Sequence, residues 1–251
     1  MSKLTDKIAV VTGASKGIGA AIARHFAAQG AKVVVNYASS KEDADKIVKT
    51  ITDHGGAAVA IQGDVSKKEE VIRLFGETKN TFGGLDILVN NAGIYDYLPV
   101  EQITEESFHR QFNINVLGSI FTIQESLKLF GEKGGNIINI SSGASKSPLP
   151  TGSVYSATKT ALDALTVSLS KEFSGRNIRI NSILPGIVET EGSSAAGFIG
   201  SEAEAKFVAN TPLGRTGQPD DIAKAVVFIA SDDAGWITGE LISVSGGVFG
   251  F

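Results

Sequence analysis

The sequence predicts an α/β fold in which one parallel sheet of seven strands, doubly wound, carries helices on both faces. Three observations predict it. Short runs rich in β-branched residues recur along the chain, stretches of helical periodicity separate them, and the runs are apolar nearly throughout, as strands covered on both faces must be. The first strand is Ile8 to Val11, and helical spacing follows from Gly17 to Gln29. Val33 to Val35 is the second strand, followed by a helix from Lys41 to Asp53, and Ala58 to Ile61 is the third, followed by a helix from Lys67 to Phe82. Ile87 to Val89 precedes a long helix read from Glu105 to Phe130, and Ile137 to Ile140 precedes one from Val154 to Phe173. The sixth strand, Ile178 to Leu184, leads to an irregular Gly-, Ser- and Ala-rich stretch between Val188 and Leu213. That stretch is expected to be a mobile ligand loop, because α/β sheets carry such loops after their strands. Pro219, an N1-type residue, opens the last helix, to Ala230, and Leu241 to Val244 is the seventh strand.

No linker, composition break or fixed-period repeat divides the 251 residues, so residues 1–251 are read as one domain. Apolar residues make up 42% and charged residues 20%, ordinary globular usage. The net charge of −4 with interleaved signs recommends neither nucleic acid nor an anionic membrane as a partner. Zero cysteines exclude disulfides, thiolate metal sites and cysteine nucleophiles; no metal is expected. Residues Met1 to Lys7 hold no apolar signal core and no run approaches a membrane span, so a cytoplasmic location is expected.

Thr12-Gly13-Ala14-Ser15-Lys16-Gly17-Ile18-Gly19 follows the first strand and opens the first helix, where main-chain N–H groups and the helix dipole can hold a pyrophosphate. Gly13 permits the turn, Gly17 admits phosphate oxygens and Gly19 allows close helix packing, so Gly13, Ser15, Lys16, Gly17, Ile18 and Gly19 are candidate cofactor contacts. Asp64, with Val65 at the end of the third strand, either accepts from an adenine amino group or caps the next helix. Asn90-Asn91-Ala92-Gly93 ends the fourth strand at the expected topological switch point, where small residues leave room for a ribose and Asn amides tie strand ends together.

Tyr155 and Lys159 lie four residues apart, on one helix face. A free phenol titrates near ~10, so acid/base work near neutrality needs a shift of roughly 3 units, about 4 kcal/mol of preference for the phenolate. An adjacent ammonium, helped by an oxidised nicotinamide, supplies the right sign. Ser141 and Ser142 end the fifth strand, where a hydroxyl would donate to a substrate oxygen. Asn115 sits inside an apolar helix, where its amide needs a partner: a structural one, or a water leading to Lys159.

Together these residues resemble the short-chain dehydrogenase/reductase family over essentially the whole chain: the TGxxxGIG loop, Asp64, the NNAG run, Asn115, Ser142, Tyr155 with Lys159, and Pro185-Gly186 followed by Thr190. The resemblance implies a Rossmann-like fold and a catalytic Asn115, Ser142, Tyr155 and Lys159, with Ser142 preferred to Ser141 by its thirteen-residue spacing to Tyr155. Tyr155 would be the acid/base, Lys159 would lower its pKa and bind the ribose, and Asn115 would hold a relay water. Pro185, Gly186, Ile187, Val188 and Thr190 would border the nicotinamide. The chain looks most like bacterial 3-oxoacyl carrier-protein reductases, glucose dehydrogenases and carbonyl reductases.

An NAD-selective fold places an acid about 20 positions beyond the glycine loop. Here Asn36 is read in that place, and Ser39, Ser40 and Lys41 follow without a carboxylate until Glu42, while Lys16 projects towards the same region. NADPH is therefore the expected cofactor, with NADH possible. The expected substrate is a small carbonyl compound. A carrier-linked reductase would use a basic docking face, for which Lys128, Lys133, Arg176 and Arg179 are candidates. A sugar dehydrogenase and a non-catalytic dinucleotide sensor are the alternatives, and the complete Asn-Ser-Tyr-Lys set argues against the sensor. The resemblance also implies a homotetramer, and Phe249 and Phe251 either offer apolar surface to such an assembly or pack onto the chain's own core.

Overall fold

The computed structural model describes residues 2–195 and 197–248. Its strands are β1 (Ile8–Val11), β2 (Lys32–Tyr37), β3 (Ala57–Gln62), β4 (Ile87–Asn90), β5 (Gly135–Ile140), β6 (Ile178–Pro185) and β7 (Leu241–Val244). They form one sheet in the order β3-β2-β1-β4-β5-β6-β7, every neighbouring pair parallel. The chain winds outward from β1 to β3 and returns to the other side of β1 with β4. The switch point therefore lies beyond the carboxyl ends of β1 and β4, where a doubly wound sheet binds its ligand.

Helices α1 (Gly17–Ala28), α2 (Lys41–Asp53), α3 (Lys68–Phe82), α4 (Glu105–Phe112), α5 (Gly118–Ser126), α6 (Ser153–Glu172), α7 (Glu191–Ala195), α8 (Glu202–Ala209) and α9 (Pro219–Ala230) complete the chain's regular structure. Strand parity builds two cores. Ala9, Val11, Val33, Val35, Val89 and Ile138 face Ile22 and Phe26 of α1 and Ile222, Val226 and Ile229 of α9. Val10, Val34, Leu88, Ile137 and Ile180 face Val71, Leu74 and Phe75 of α3 and Ile123 of α5. Alternate residues of one strand thus serve opposite layers, which is why the strands read as apolar nearly throughout.

Two expectations about the elements are corrected. The helix read from Glu105 to Phe130 is interrupted by a π-helical turn over Asn113–Leu117 and stops at Ser126. Phe130 instead pairs with Leu85 in a parallel bridge, beyond the turn that closes the helix. The stretch from Val188 to Leu213 is not irregular throughout, since α7 and α8 lie within it. Thr190 Oγ1 accepts from the Ser193 N–H at 3.1 Å and Ser201 Oγ accepts from the Glu204 N–H at 3.2 Å, hydroxyl caps that start helices despite the weak apolar pattern. Phe249 and Phe251 lie outside the described residues. Among the described residues no helix is long and apolar enough to cross a membrane, and no group of acidic or His side chains is arranged to hold a metal ion.

Candidate active site

The glycine turn between β1 and α1 is pinned from both neighbouring strands. Thr12 Oγ1 donates to the Val89 carbonyl and accepts from the Asn91 and Ala92 N–H groups, both at 3.0 Å. Asn91 Nδ2 donates to the Thr12 and Gly13 carbonyls at 2.9 and 3.1 Å. Gly13 has a positive φ of 60°, and a Cβ there would stand 2.9 Å from Ala92 Cα. At Gly19 a Cβ would collide with Asn91 Nδ2 and sit 2.6 Å from the Gly13 carbonyl, so the close approach of helix to turn requires glycine. The turn has an affinity for anionic oxygen. The Glu191 carboxylate reaches across from α7 to accept from the Gly17 N–H at 3.0 Å, and Thr190 lies against Gly17. These groups fit a dinucleotide's pyrophosphate, with Ser15 and Ile18 half-buried beside them.

Asn36 does not face the cleft, which corrects its reading as a ribose contact. The residue is 1% exposed. Its Nδ2 donates to the Ile61 and Gly63 carbonyls at 3.2 and 3.0 Å, and its Oδ1 accepts from the Gly13 N–H at 3.3 Å. Its work is to fasten the glycine turn to β2 and β3. Ser39 is exposed, and the Ser40 hydroxyl makes no capping bond to α2. Lys16 Nζ pairs with Asp43 at 2.9 Å over the start of α2, and Asp43 also meets Lys46 at 3.1 Å. Asp64 Oδ1 accepts from the Ser66 N–H and hydroxyl at 3.0 and 2.7 Å, a local turn ahead of the helix; the N-cap position of α3 is Lys67 and carries no side-chain cap bond, which corrects the capping reading of Asp64. Val65 packs its side chain on Gly118, so only its main chain is available to a ligand.

The candidate catalytic residues converge beside this turn. Ser142 lies just beyond β5, its Oγ accepts from the Ala144 N–H at 3.1 Å, and its hydroxyl acts on the Tyr155 phenol against the effect of burial. Ser141 faces inward instead, donating to the Lys159 carbonyl at 3.3 Å. Lys159 is 5% exposed, donates to the Ile140 carbonyl at 2.9 Å and stands 5.7 Å from the Tyr155 ring centre. A Cβ on Gly93 would lie 3.3 Å from Asn115 Oδ1 and 3.5 Å from Lys159 Nζ, so that glycine keeps open a space bordered by both. Asn115 has the structural partners: its amide donates to the Ile94 carbonyl at 2.8 Å and to Thr158 Oγ1 at 3.0 Å, while its Oδ1 accepts from the Ile94 N–H at 2.8 Å. The π-turn frees its main-chain carbonyl, which accepts from Ser119 Oγ at 3.2 Å.

The electrostatics correct one further expectation. Burial pushes the Tyr155 phenol up to about 12, against the effect of the Ser142 hydroxyl and with Tyr97 and Tyr95 adding to the rise. In the protein alone the phenol is therefore raised and not lowered. Burial also pushes the Lys159 ammonium down to about 8, opposed by the Asp163 carboxylate one helical turn further along α6. Asp163, missed in the sequence, is buried and accepts from Ser145 Oγ at 2.6 Å, and Ser145 Oγ also reaches the Ser142 carbonyl at 2.9 Å. One acid therefore supports both the turn that holds Ser142 and the charge of Lys159.

At the far wall, Pro185 ends β6 and the Gly186 N–H donates to the Val244 carbonyl at 3.1 Å. Val188 is buried in the core layer, and Thr190, whose Oγ1 caps α7, lies against Gly17 of the glycine turn. Tyr95 and Tyr97, also missed, stand over Tyr155 with ring centres 6.0 and 6.2 Å from it. They sit on the loop after β4, where no periodicity marks a side chain's direction; two aromatics just past the NNAG run were the available signal.

A parallel sheet with a glycine turn at its switch point and a Ser–Tyr–Lys cluster at the next strand end defines a dinucleotide-binding α/β protein. The family model described as enoyl-(acyl carrier protein) reductase matches residues 13–249. The chain is 55% identical over 248 residues to an uncharacterized oxidoreductase of Methylorubrum extorquens, covering 99% of this chain and all of that one. It is 38% identical to versicolorin reductase 1 of Aspergillus parasiticus, with 98% of each chain covered. The crystal structure of the angucycline C-6 ketoreductase LanV with bound NADP superposes with a TM-score of 0.93 at 35% identity, covering all of this chain and 98% of that one. The chain belongs to the short-chain dehydrogenase/reductase family.

Proposed function

We propose that the protein is an NADPH-preferring ketoreductase that interconverts a free ketone and its secondary alcohol, with Tyr155 as proton donor. The observation that carries this is the convergence of Ser142, Tyr155 and Lys159 beside the glycine turn, with Lys159 Nζ 5.7 Å from the Tyr155 ring centre and the phenol kept protonated by burial. Gly13 to Gly19, Asp64, Asn91 to Gly93 and Pro185 to Thr190 would hold the dinucleotide, which would supply the hydride for the carbonyl carbon when bound. Ser142 and Tyr155 donate to the carbonyl oxygen, and as the C=O bond becomes C–O⁻ the Tyr155 proton moves to that oxygen. Lys159 carries the positive charge that steadies the tyrosinate until solvent returns the proton, and it donates to the ribose hydroxyls. Asn115 keeps the Gly93–Ile94 segment fastened to Thr158 of α6, so that cofactor floor and phenol keep their spacing. A relay water is not needed to satisfy its amide.

Free ketones are favoured over carrier-linked substrates because three of the four basic candidates are already engaged, which leaves Lys133 alone too little for a basic docking face. Arg176 and Arg179 donate to main-chain carbonyls, and Lys128 pairs with Glu125 at 2.7 Å. The names of versicolorin reductase and the NADP-bound ketoreductase LanV support the same reading. The NADPH preference now rests on the lack of an acid between Asn36 and Lys41 and on Lys16, which a 2′-phosphate would share with Asp43. Turnover followed at the reduced-nicotinamide band should be faster with NADPH than NADH on simple ketones. Lys16→Ala should cut the kcat/KM advantage of NADPH about tenfold, the scale of one charge-assisted hydrogen bond. An NADH preference would refute the cofactor assignment, turnover of acyl thioesters alone would favour the carrier-linked reading, and binding without turnover would favour the sensor.

The assembly we propose is a homotetramer. Phe108 and Leu117, beside Asn115, and Phe228 and Trp236, towards β7, leave apolar surface in water.

A further inference from the structure

We propose that Tyr95 and Tyr97 form a specificity wall that selects a planar aromatic ketone, an inference that rests on the ketoreductase reading. The chain has four tyrosines, and three of them meet here. Tyr95 and Tyr97 are 5.5 Å apart at 46°, and their rings stand at 74° and 60° to that of Tyr155. Both remain 41% and 47% exposed, although an apolar ring gains by burial, and nothing among the described residues covers them.

The loop that carries them is fixed. Ile94 is tied to Asn115 through both main-chain groups, the Asp96 carboxylate accepts from Ser107 Oγ at 3.0 Å, and the Leu98 N–H donates to the Thr151 carbonyl at 2.8 Å. A Cβ at Gly152 would lie 3.1 Å from the Tyr97 ring, and one at Gly192 would lie 3.2 Å from the Tyr95 hydroxyl. The rings are thus wedged between the start of α6 and α7, pre-ordered before any ligand arrives. Two anchored rings around a proton-donating phenol favour a flat π-system over a saturated skeleton of the same size, because aromatic pairs gain beyond the area they bury. A ligand lying on this pair meets the Tyr155 hydroxyl at its edge, where a ring ketone has its oxygen.

The test separates this inference from the reading beneath it. Calorimetric titration of the NADP⁺-loaded protein should give binding of 2-naphthol about tenfold tighter than that of decahydro-2-naphthol. The Tyr95→Leu/Tyr97→Leu double variant should bring the two within about twofold, and the corresponding Phe variant should keep the discrimination. Kinetics run alongside with 2-tetralone and 2-decalone as substrates. Discrimination between the naphthols with no turnover of either ketone would sustain the wall and end the ketoreductase reading. Turnover with no discrimination in the parent, or discrimination that persists in the Leu double variant, would overturn the wall and leave the reductase standing. Both rings are exposed and their loop is held by other residues, so the variants are expected to fold; should the double variant not fold, the parent's ratio alone decides.

Discussion

Replacing Tyr155 with phenylalanine should lower kcat for ketone reduction by at least about 10³-fold while the dissociation constant for NADPH stays within a few-fold of the parent's. The substitution removes one oxygen. General acid catalysis by a positioned group contributes about 10² to 10⁴ in rate, and this hydroxyl also polarises the carbonyl, so its loss falls at the upper end. Binding is spared because the pyrophosphate groove is built from main-chain groups around Gly13 to Gly19, which Tyr155 does not touch. The ring stays in place through its edge contacts with Tyr95 and Tyr97. Stopped-flow binding and steady-state turnover on the same preparation check both halves. Turnover within tenfold of the parent would move the proton donor elsewhere, and Ser142 would be the next residue to test.

The strands were legible because a parallel strand buried on both faces is apolar nearly throughout, with few polar residues to blur it, and each of the seven runs appears within two residues of its read position. The break in the long helix was not. It depends on Asn115 reaching Ile94, which lies 21 positions earlier, and helical periodicity carries no information about such a contact. α8 could have been found from Ser201 and Glu204, a hydroxyl and an acid at capping-box spacing, yet the low apolar content hid it. Asn36 shows where motif reading fails and strand parity succeeds. It falls in alternation with Val34, whose side chain packs in the α3 layer, so an inward direction follows from β2 alone. The direction of Tyr95 and Tyr97 had no such guide. Asp163 did, lying four residues beyond Lys159 on α6, but an acid on a long helix gives no sign of being buried until the neighbouring turn at Ser145 is known.

Lys159→Met should make the protein without cofactor more stable and nearly inactive, the largest separation of the two properties in the molecule. Burial lowers the ammonium from its ordinary 10.5 to about 8, so holding it charged in the fold costs about 3 kcal/mol. The sign follows from proton counts. Between pH 8 and 10.5 the unfolded chain binds the proton and the folded chain has lost it, so parent stability rises with pH across that window. It falls as pH drops through about 8, and below that the full penalty applies. Methionine keeps the apolar stem and removes the charge, but it leaves the Ile140 carbonyl without the donor at 2.9 Å and returns part of the gain. The net at pH 7 should be about 1–2 kcal/mol, at about 2–4 °C of Tm per kcal/mol for a domain of this size. Turnover should fall about a hundredfold or more, since nothing then offsets the tyrosinate charge. The pH series is the decisive measurement. Parent stability should climb relative to the variant's from pH 8 to 10.5, and a constant difference across that range would mean that Lys159 is not held against its own burial. On the proposed mechanism such a lysine is kept for what it does to the phenol, at a standing cost to the fold.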